Sequence, residues 1–420
     1  MPVVNSWQYV SDWIAMTGLD ILKNNLNIAK KFNTDWSSEF ERDFPVGSTV
    51  RVPLPVRLRS TNSFTYVPQA IEQRSTEIVV DQQMSVAFEY DSLEEALTMP
   101  RGKERLERTL IKPAMEQLAQ DIESAAANFA TLNTPNIVGT LGTNSATYDA
   151  IFGASRQRLT ELGAPSEGRS MHLHPAVTRA LGNASVSYFN PPDQMSKLFK
   201  KGIVGEAQGF ETFESMSLYE TTASVWQTPA SVVVYGSGQT GSSLVITCTA
   251  GDTFEKGDSI SITGRYAVNP ATRRKANSAT PRQFVITQDL TAAGGAGADT
   301  LQIYPPISGP GSPYQNIDAL PVNGDILVLY PGTTTPSTGP VSGINSLALT
   351  PDAFLMVGVK LMMPTKAEMA SQKRDPETGL QIAFIRDFDP IQRKMINRFD
   401  CLLGFGRGYA DSGAVRVLGA

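Results

Sequence analysis

His172 and His174 are the only histidines in this chain of 420 residues. In a strand, side chains two residues apart project to one face, a spacing known from metal sites. A catalytic metal needs a third ligand and an open position. No Cys, Asp or Glu stands within four residues of either histidine, so ordinary packing or a polar contact is expected. Gly236-Ser-Gly-Gln-Thr-Gly-Ser-Ser is spaced like a phosphate loop, but no Lys precedes the hydroxyl to clamp phosphate. A turn joining two strands is the expected role. Gly404-Phe-Gly-Arg-Gly lacks the last spacing of a dinucleotide fingerprint, and no long βαβ unit follows it. Glu94 with Glu95, or Asp387 with Asp389, could act as acid and base across a cleft, but nothing in the sequence points to a cleft. The chain therefore reads as no enzyme, with no catalytic residue, metal or cofactor.

The remaining chemistry is charge. Residues 259–288 contain no Asp or Glu, while Arg265, Arg273, Arg274, Lys275 and Arg282 all fall inside. A solvated loop is one reading; the other is a contact with an acidic patch on a neighbouring subunit, made by Arg273, Arg274 and Lys275. Arg51, Arg57 and Arg59 form a second basic group. The whole chain is nevertheless acidic, with a formal net charge of −5. A protein that grips nucleic acid normally carries a basic surplus. This balance is compatible with a container that holds DNA without gripping it.

Several elements must position these residues. The first 32 residues carry apolar side chains near helical spacing, from Trp7 to Ile28, closed by Lys30 and Lys31; Gly18 is a point where this helix could bend or break. Its apolar face is expected to dock on something beyond its own domain. Residues 48–90 alternate apolar and polar around Ser60-Thr-Asn-Ser-Phe-Thr-Tyr, which predicts a long hairpin needing a neighbouring surface to lie on. Residues 101–131 predict a helix that Pro113 kinks or restarts near Lys112. Ser170-Met-His-Leu-His predicts a strand entering a helix that starts at Pro175 and ends at Gly182.

Helix signals then vanish. Six strand-like runs begin at Ser231, Ser243, Ser259, Gln283, Thr300 and Asp325, an all-β sandwich or barrel. Thr333-Thr-Thr-Pro-Ser-Thr-Gly-Pro reads as the linker out of it. Mixed structure returns from Asp352 to Val415-Arg-Val-Leu, so an all-β block interrupts an α+β chain.

Composition agrees with a folded, core-forming chain: 41% of residues are hydrophobic and 18% charged. The charged share is below the usual ~25%, which suits extended surfaces that meet other chains. Cys248 and Cys401 are expected to be reduced and buried. No signal peptide or membrane span is expected, and the reading places the chain in a reducing cytoplasm.

The order of elements resembles the HK97-type capsid fold of tailed phages. Ala29-Lys-Lys-Phe, Gly209-Phe-Glu, Phe254-Glu-Lys-Gly-Asp-Ser-Ile-Ser-Ile and Leu402-Leu-Gly-Phe-Gly-Arg-Gly-Tyr-Ala narrow it to the coat proteins of P22-type, short-tailed Salmonella phages, in which a six-stranded β-barrel interrupts the capsid core. The resemblance implies an α+β fold with peripheral and axial domains. It would divide into an N-terminal arm (1–47), an extended hairpin or E-loop with its base strands (48–90), the spine helix and first part of the core (91–227), an inserted β-barrel domain (228–346) and the remaining core (347–420).

It also implies a function: a major capsid protein, self-assembling as hexamers and pentamers into an icosahedral shell around double-stranded DNA, without sequence-specific binding or a membrane. The shell would begin as a scaffolded procapsid and expand on maturation. Implied partners are the scaffolding and portal proteins, with a decoration protein as a further one. Assembly would occur in the host cytoplasm. An acidic scaffolding contact in the arm matches Asp12 most nearly, and the region of Pro113 is the candidate hinge for expansion. One departure stands out: the acidic loop that bridges capsomers in the relatives has no counterpart, because Thr228–Ser243 carries no charge. A tail-associated or adhesion β-protein, and a hydrolase, are the competing readings; no fixed-period repeat supports the former.

Overall fold

The computed structural model describes residues 8–37, 49–58, 68, 71–91, 107–139, 149–185, 205–275, 281–330, 342–364, 367, 369–376, 378–389, 391 and 394–418. The chain forms two units. One holds Met1–Pro53, Ser75–Ala126 and Phe354–Arg407; the other holds Leu54–Arg74, Ala127–Ala353 and Gly408–Ala420. Arg59, the polar run from Ser60, Glu94, Glu95 and the linker at 333–340 lie outside the described residues.

In the first unit, the strand Lys394–Arg407 is the axis of an antiparallel sheet. One edge pairs with Ser75–Asp91 along its length. The other pairs with Gln381–Asp389 and then Phe354–Val359. Gly404 belongs to this strand because the neighbouring backbone is close: a Cβ there would lie 2.8 Å from the carbonyl oxygen of Val79. The hairpin stem forms as the alternation requires, Thr49 opposite Val79 through Pro53 opposite Ser75. Arg51 and Glu77 pair across it at 3.0 Å.

The first helix, Gln8–Asn25, runs unbroken through Gly18. A Cβ at Gly18 would sit 3.2 Å from Met115 Sδ, so glycine serves close packing there and does not break the helix. The expectation that this helix docks beyond its own domain is also corrected. It packs on the strands Met369–Arg374 and Gln381–Asp389 of its own unit, with Ile14, Leu19, Leu22 and Leu26 buried. Apolar spacing says which face is buried but not against what. The long helix is α-helical over Lys112–Asn133 and follows a π turn, Glu107–Ile111. Pro113 has no N–H to donate, and it sits where one hydrogen-bonding pattern gives way to the other.

The second unit contains a mixed sheet in the order Asn136–Gly139, Ala414–Leu418, Ser342–Leu349, Ser170–Leu173, Phe210–Glu214 and Glu206–Ala207, with Glu220–Thr222 also paired to Ser342–Leu349. Helices Ala154–Glu161 and Pro175–Ser185 belong to it; the second runs past Gly182. Phe152, Leu159, Leu173, Leu181 and Phe210 are among its buried core.

All six strand-like runs fall in one further sheet, ordered Leu327–Tyr330, Ser259–Tyr266, Pro281–Ile286, Gly295–Ile307, Gly241–Cys248 and Val233–Val234. Its first and last strands meet: Val234 N–H donates to the Asp325 carbonyl and Leu327 N–H to the Val232 carbonyl, both at 2.9 Å. The sheet is therefore a closed barrel, which removes its edges. Trp226, Phe254, Phe284 and alternate aliphatic residues of each strand fill it.

Candidate functional site

The strand Ser170–Leu173 stops one residue short of His174, so the two histidines do not share a face. His172 is fully buried and stacks on Phe213, ring centres 5.3 Å apart. His174 caps the next helix: its Nδ1 accepts from Ala176 N–H at 3.2 Å. Pro175 drives this separation, since it starts a helix and ends the alternation. Among the described residues, no three His, Cys, Asp or Glu side chains gather to hold a metal. Gly236-Ser-Gly-Gln-Thr-Gly forms a turn between two barrel strands, held by Gly236 N–H donating to Asn323 Oδ1 at 2.8 Å. Gly404-Phe-Gly-Arg lies within an extended strand. Asp387 and Asp389 lie on the strand Gln381–Asp389, opposite Ile396 and Lys394 in register. Cys248 and Cys401 are buried free thiols. No described helix is long and apolar enough to cross a membrane.

The basic candidates are better placed for contact. Arg57, at the hairpin base, and Arg273, in the barrel loop, converge on Pro313 and Tyr314. The Tyr314 hydroxyl donates to the Glu72 carbonyl at 2.6 Å. Arg74 Cζ lies 4.0 Å from the ring centre and Arg57 Cζ 5.9 Å from it. Arg273 Nη2 donates to the Pro313 carbonyl at 3.4 Å. Lys275 sits over the Tyr266 ring and pairs with Asp318 at 3.5 Å, while Arg274 is exposed. Asn269 shapes the loop, accepting from Ala271 and Thr272 N–H and donating to the Glu161 carbonyl. Arg57, Glu72 and Arg74 thus meet Tyr314 within the second unit. Tyr314 had no signal in the sequence, because its partners are remote along the chain.

A polar seam joins the barrel to the mixed sheet. Gln283 accepts from Ile137 N–H at 2.8 Å and donates to the Ile137 carbonyl at 3.1 Å. Arg158 donates to Gln283 and the Pro281 carbonyl. Arg282 donates to the Asp411 carbonyl. Asp258, buried beneath the barrel, accepts from Ser224 N–H and hydroxyl. Burial raises its carboxyl to about 6, opposed by those hydrogen bonds and the charge of Arg416. Burial lowers Arg158 and Arg416 to about 10. Arg282, which the sequence counts in the acid-free stretch 259–288, is buried here.

In the first unit, Asp12 accepts from the Ser371 hydroxyl and pairs with Lys373 at 3.3 Å. The Ser371 bond is the largest cause holding its carboxyl below the ordinary range. Further along, Glu123 receives three consecutive backbone N–H groups, from Asn27, Ile28 and Ala29, at 2.9, 2.9 and 3.0 Å. Burial raises its carboxyl while these bonds pull it down.

A family model described as "P22 coat protein - gene protein 5" matches residues 7–405. Among solved structures, a chain of Mycobacterium phage Che8 is similar at 12% identity, covering 93% of this chain and 90% of that one with a TM-score of 0.48. The capsid of cyanophage P-SCSP1u is similar at 11% identity, covering 93% and 86% with a TM-score of 0.44. A virus-like particle from Pyrococcus furiosus is similar at 9% identity, covering 97% and 99% with a TM-score of 0.39. No curated protein matches.

Proposed function

This chain belongs to the P22 coat protein family, and from that premise we propose how it builds its shell. It is a major capsid protein of a tailed phage, with an α+β, HK97-type fold, and its place is the virion capsid. Its copies form a homo-oligomeric icosahedral shell, and its role is structural. In our reading it catalyses no reaction.

The finer reading is a procapsid assembled in the host cytoplasm on a scaffolding protein. A portal occupies one vertex, the shell expands around double-stranded DNA, and a decoration protein is a further outside partner. The arm, hairpin, spine, barrel and remaining core divide the work as the sequence suggests. Arg51, Arg57, Arg59, Arg273, Arg274 and Lys275 are the proposed contacts between copies. Asp12 is the proposed scaffolding contact, by exchange of its Ser371 and Lys373 partners. The π-to-α transition at Pro113 is the proposed hinge, since it is where the helix already changes pattern.

The observation that carries this reading is the family match across residues 7–405, with a closed six-stranded barrel interrupting the core. Expression with and without the scaffolding protein, imaged by electron microscopy, tests it. Closed particles of uniform size are expected with scaffolding; monomers or small rings under every condition would refute it.

A further inference from the structure

Two surfaces of the second unit are opposite in charge. Arg57 and Arg74 face the Tyr314 ring and Arg273 donates to the adjacent Pro313 carbonyl, Arg74 also pairing with Glu72; further along the same barrel loop Lys275 pairs with Asp318 and Arg274 is exposed. This basic surface stands on a chain whose formal net charge is −5. Arg57 and Arg74 from one segment of the second unit and Arg273 from the barrel loop build it jointly, so neither segment alone displays it.

The acidic counterpart is continuous in sequence. Residues 205–255 contain Glu206, Glu211, Glu214, Glu220, Asp252 and Glu255 and no Lys or Arg. The four glutamates lie on the strands Glu206–Ala207, Phe210–Glu214 and Glu220–Thr222, and all four are exposed. Glu206–Ala207 is the last strand in the order of the mixed sheet. Met216 and Tyr219, 69% and 39% exposed, stand beside them. This is a charged surface with an apolar pair, the composition of a contact rim and its centre.

We infer that the basic surface around Tyr314 of one copy receives the exposed acidic strands that carry Glu211, Glu214 and Glu220 of the next. This rests on the shell-forming reading. Every copy carries both halves, and in a heterologous arrangement the contact propagates from copy to copy and closes where the rotation allows. Opposed charges steer the encounter and fix the register, while Met216 and Tyr219 supply the area that charge alone does not. The neutral segment Thr228–Ser243 cannot provide an ionic bridge, and this pair of surfaces gives the chain a different one.

Two variants test the contact. Arg57→Glu with Arg274→Glu reverses the basic surface, and Glu214→Lys with Glu220→Lys reverses the acidic strands. Each variant should fold, with wild-type circular dichroism and unfolding midpoint, and assemble at least about tenfold less well at low salt. An equimolar mixture should assemble where neither does alone, because each reversed surface then finds its complement. Wild-type assembly by either variant, or a mixture that fails although both fold, would overturn the contact. Intact assembly combined with lost binding of a double-stranded DNA oligonucleotide in the Arg57 and Arg274 variant would assign the basic surface to phosphate instead. Wild-type protein that forms no particle under any condition would remove the shell reading itself, a result separable from the others.

Discussion

The side chain of Gln283 occupies the place of a missing strand beside Ile137, accepting from its N–H and donating to its carbonyl. Asn136–Gly139 pairs on its other side with Ala414–Leu418, so this one amide covers an edge that would otherwise be open to pairing with another chain. The barrel is therefore tied to the mixed sheet by buried polar groups.

Gln283→Leu keeps the volume and removes those bonds, leaving Ile137 N–H, Ile137 C=O and Arg158 short of partners. The expected loss of stability is about 2–4 kcal/mol. Urea unfolding of the monomer measures it, and a loss within error of zero would show that the seam does not depend on this amide.

Glu123 separates acceptor from charge. Glu123→Ala removes the acceptor for three N–H groups and should cost about 3 kcal/mol or more. Glu123→Gln keeps one acceptor oxygen and sheds the buried charge, so its cost should be under half as large. Because burial holds the carboxyl above its ordinary value, this residue's contribution to stability is greatest in acid and falls as pH rises through the raised value. Equal losses in the two variants would show that the charge itself is essential.

Asp258 should impose a pH dependence. Its folded value of about 6 lies above the ordinary 3.8, so protonation favours the folded state between them. Stability from this group is fully present below 3.8 and is lost as pH passes 6, on the order of 3 kcal/mol. Asp258→Asn should flatten that slope. Wild-type and variant unfolding profiles that run parallel from about pH 4 to 7.5 would contradict the assignment.

Gly18 tests the helix seat. Gly18→Ala should be tolerated, because the flexible Met115 side chain can yield, and alanine favours the helix. Gly18→Leu should cost about 1–3 kcal/mol by overpacking and speed proteolysis within residues 8–25. Unchanged cleavage would mean the helix is not seated on Met115. For the same reason, deletion of residues 1–32 should destabilise the first unit, since it strips buried Leu19, Leu22 and Leu26 from that core.

The sequence alone determined the alternation of the six barrel strands, the hairpin stem and the long helix. These are local signals: side-chain period, turn residues and motif spacing are written in neighbouring positions. Only the tertiary structure decided that Gly18 is a contact and not a break, that His174 leaves the strand to cap a helix, and that Arg57 and Arg273 meet at Tyr314. It also decided that Glu123 holds the backbone at 27–29 and that Gln283 completes a sheet edge. Each joins atoms remote along the chain, and which partner a polar group finds depends on where the fold buries it, a quantity no local pattern encodes.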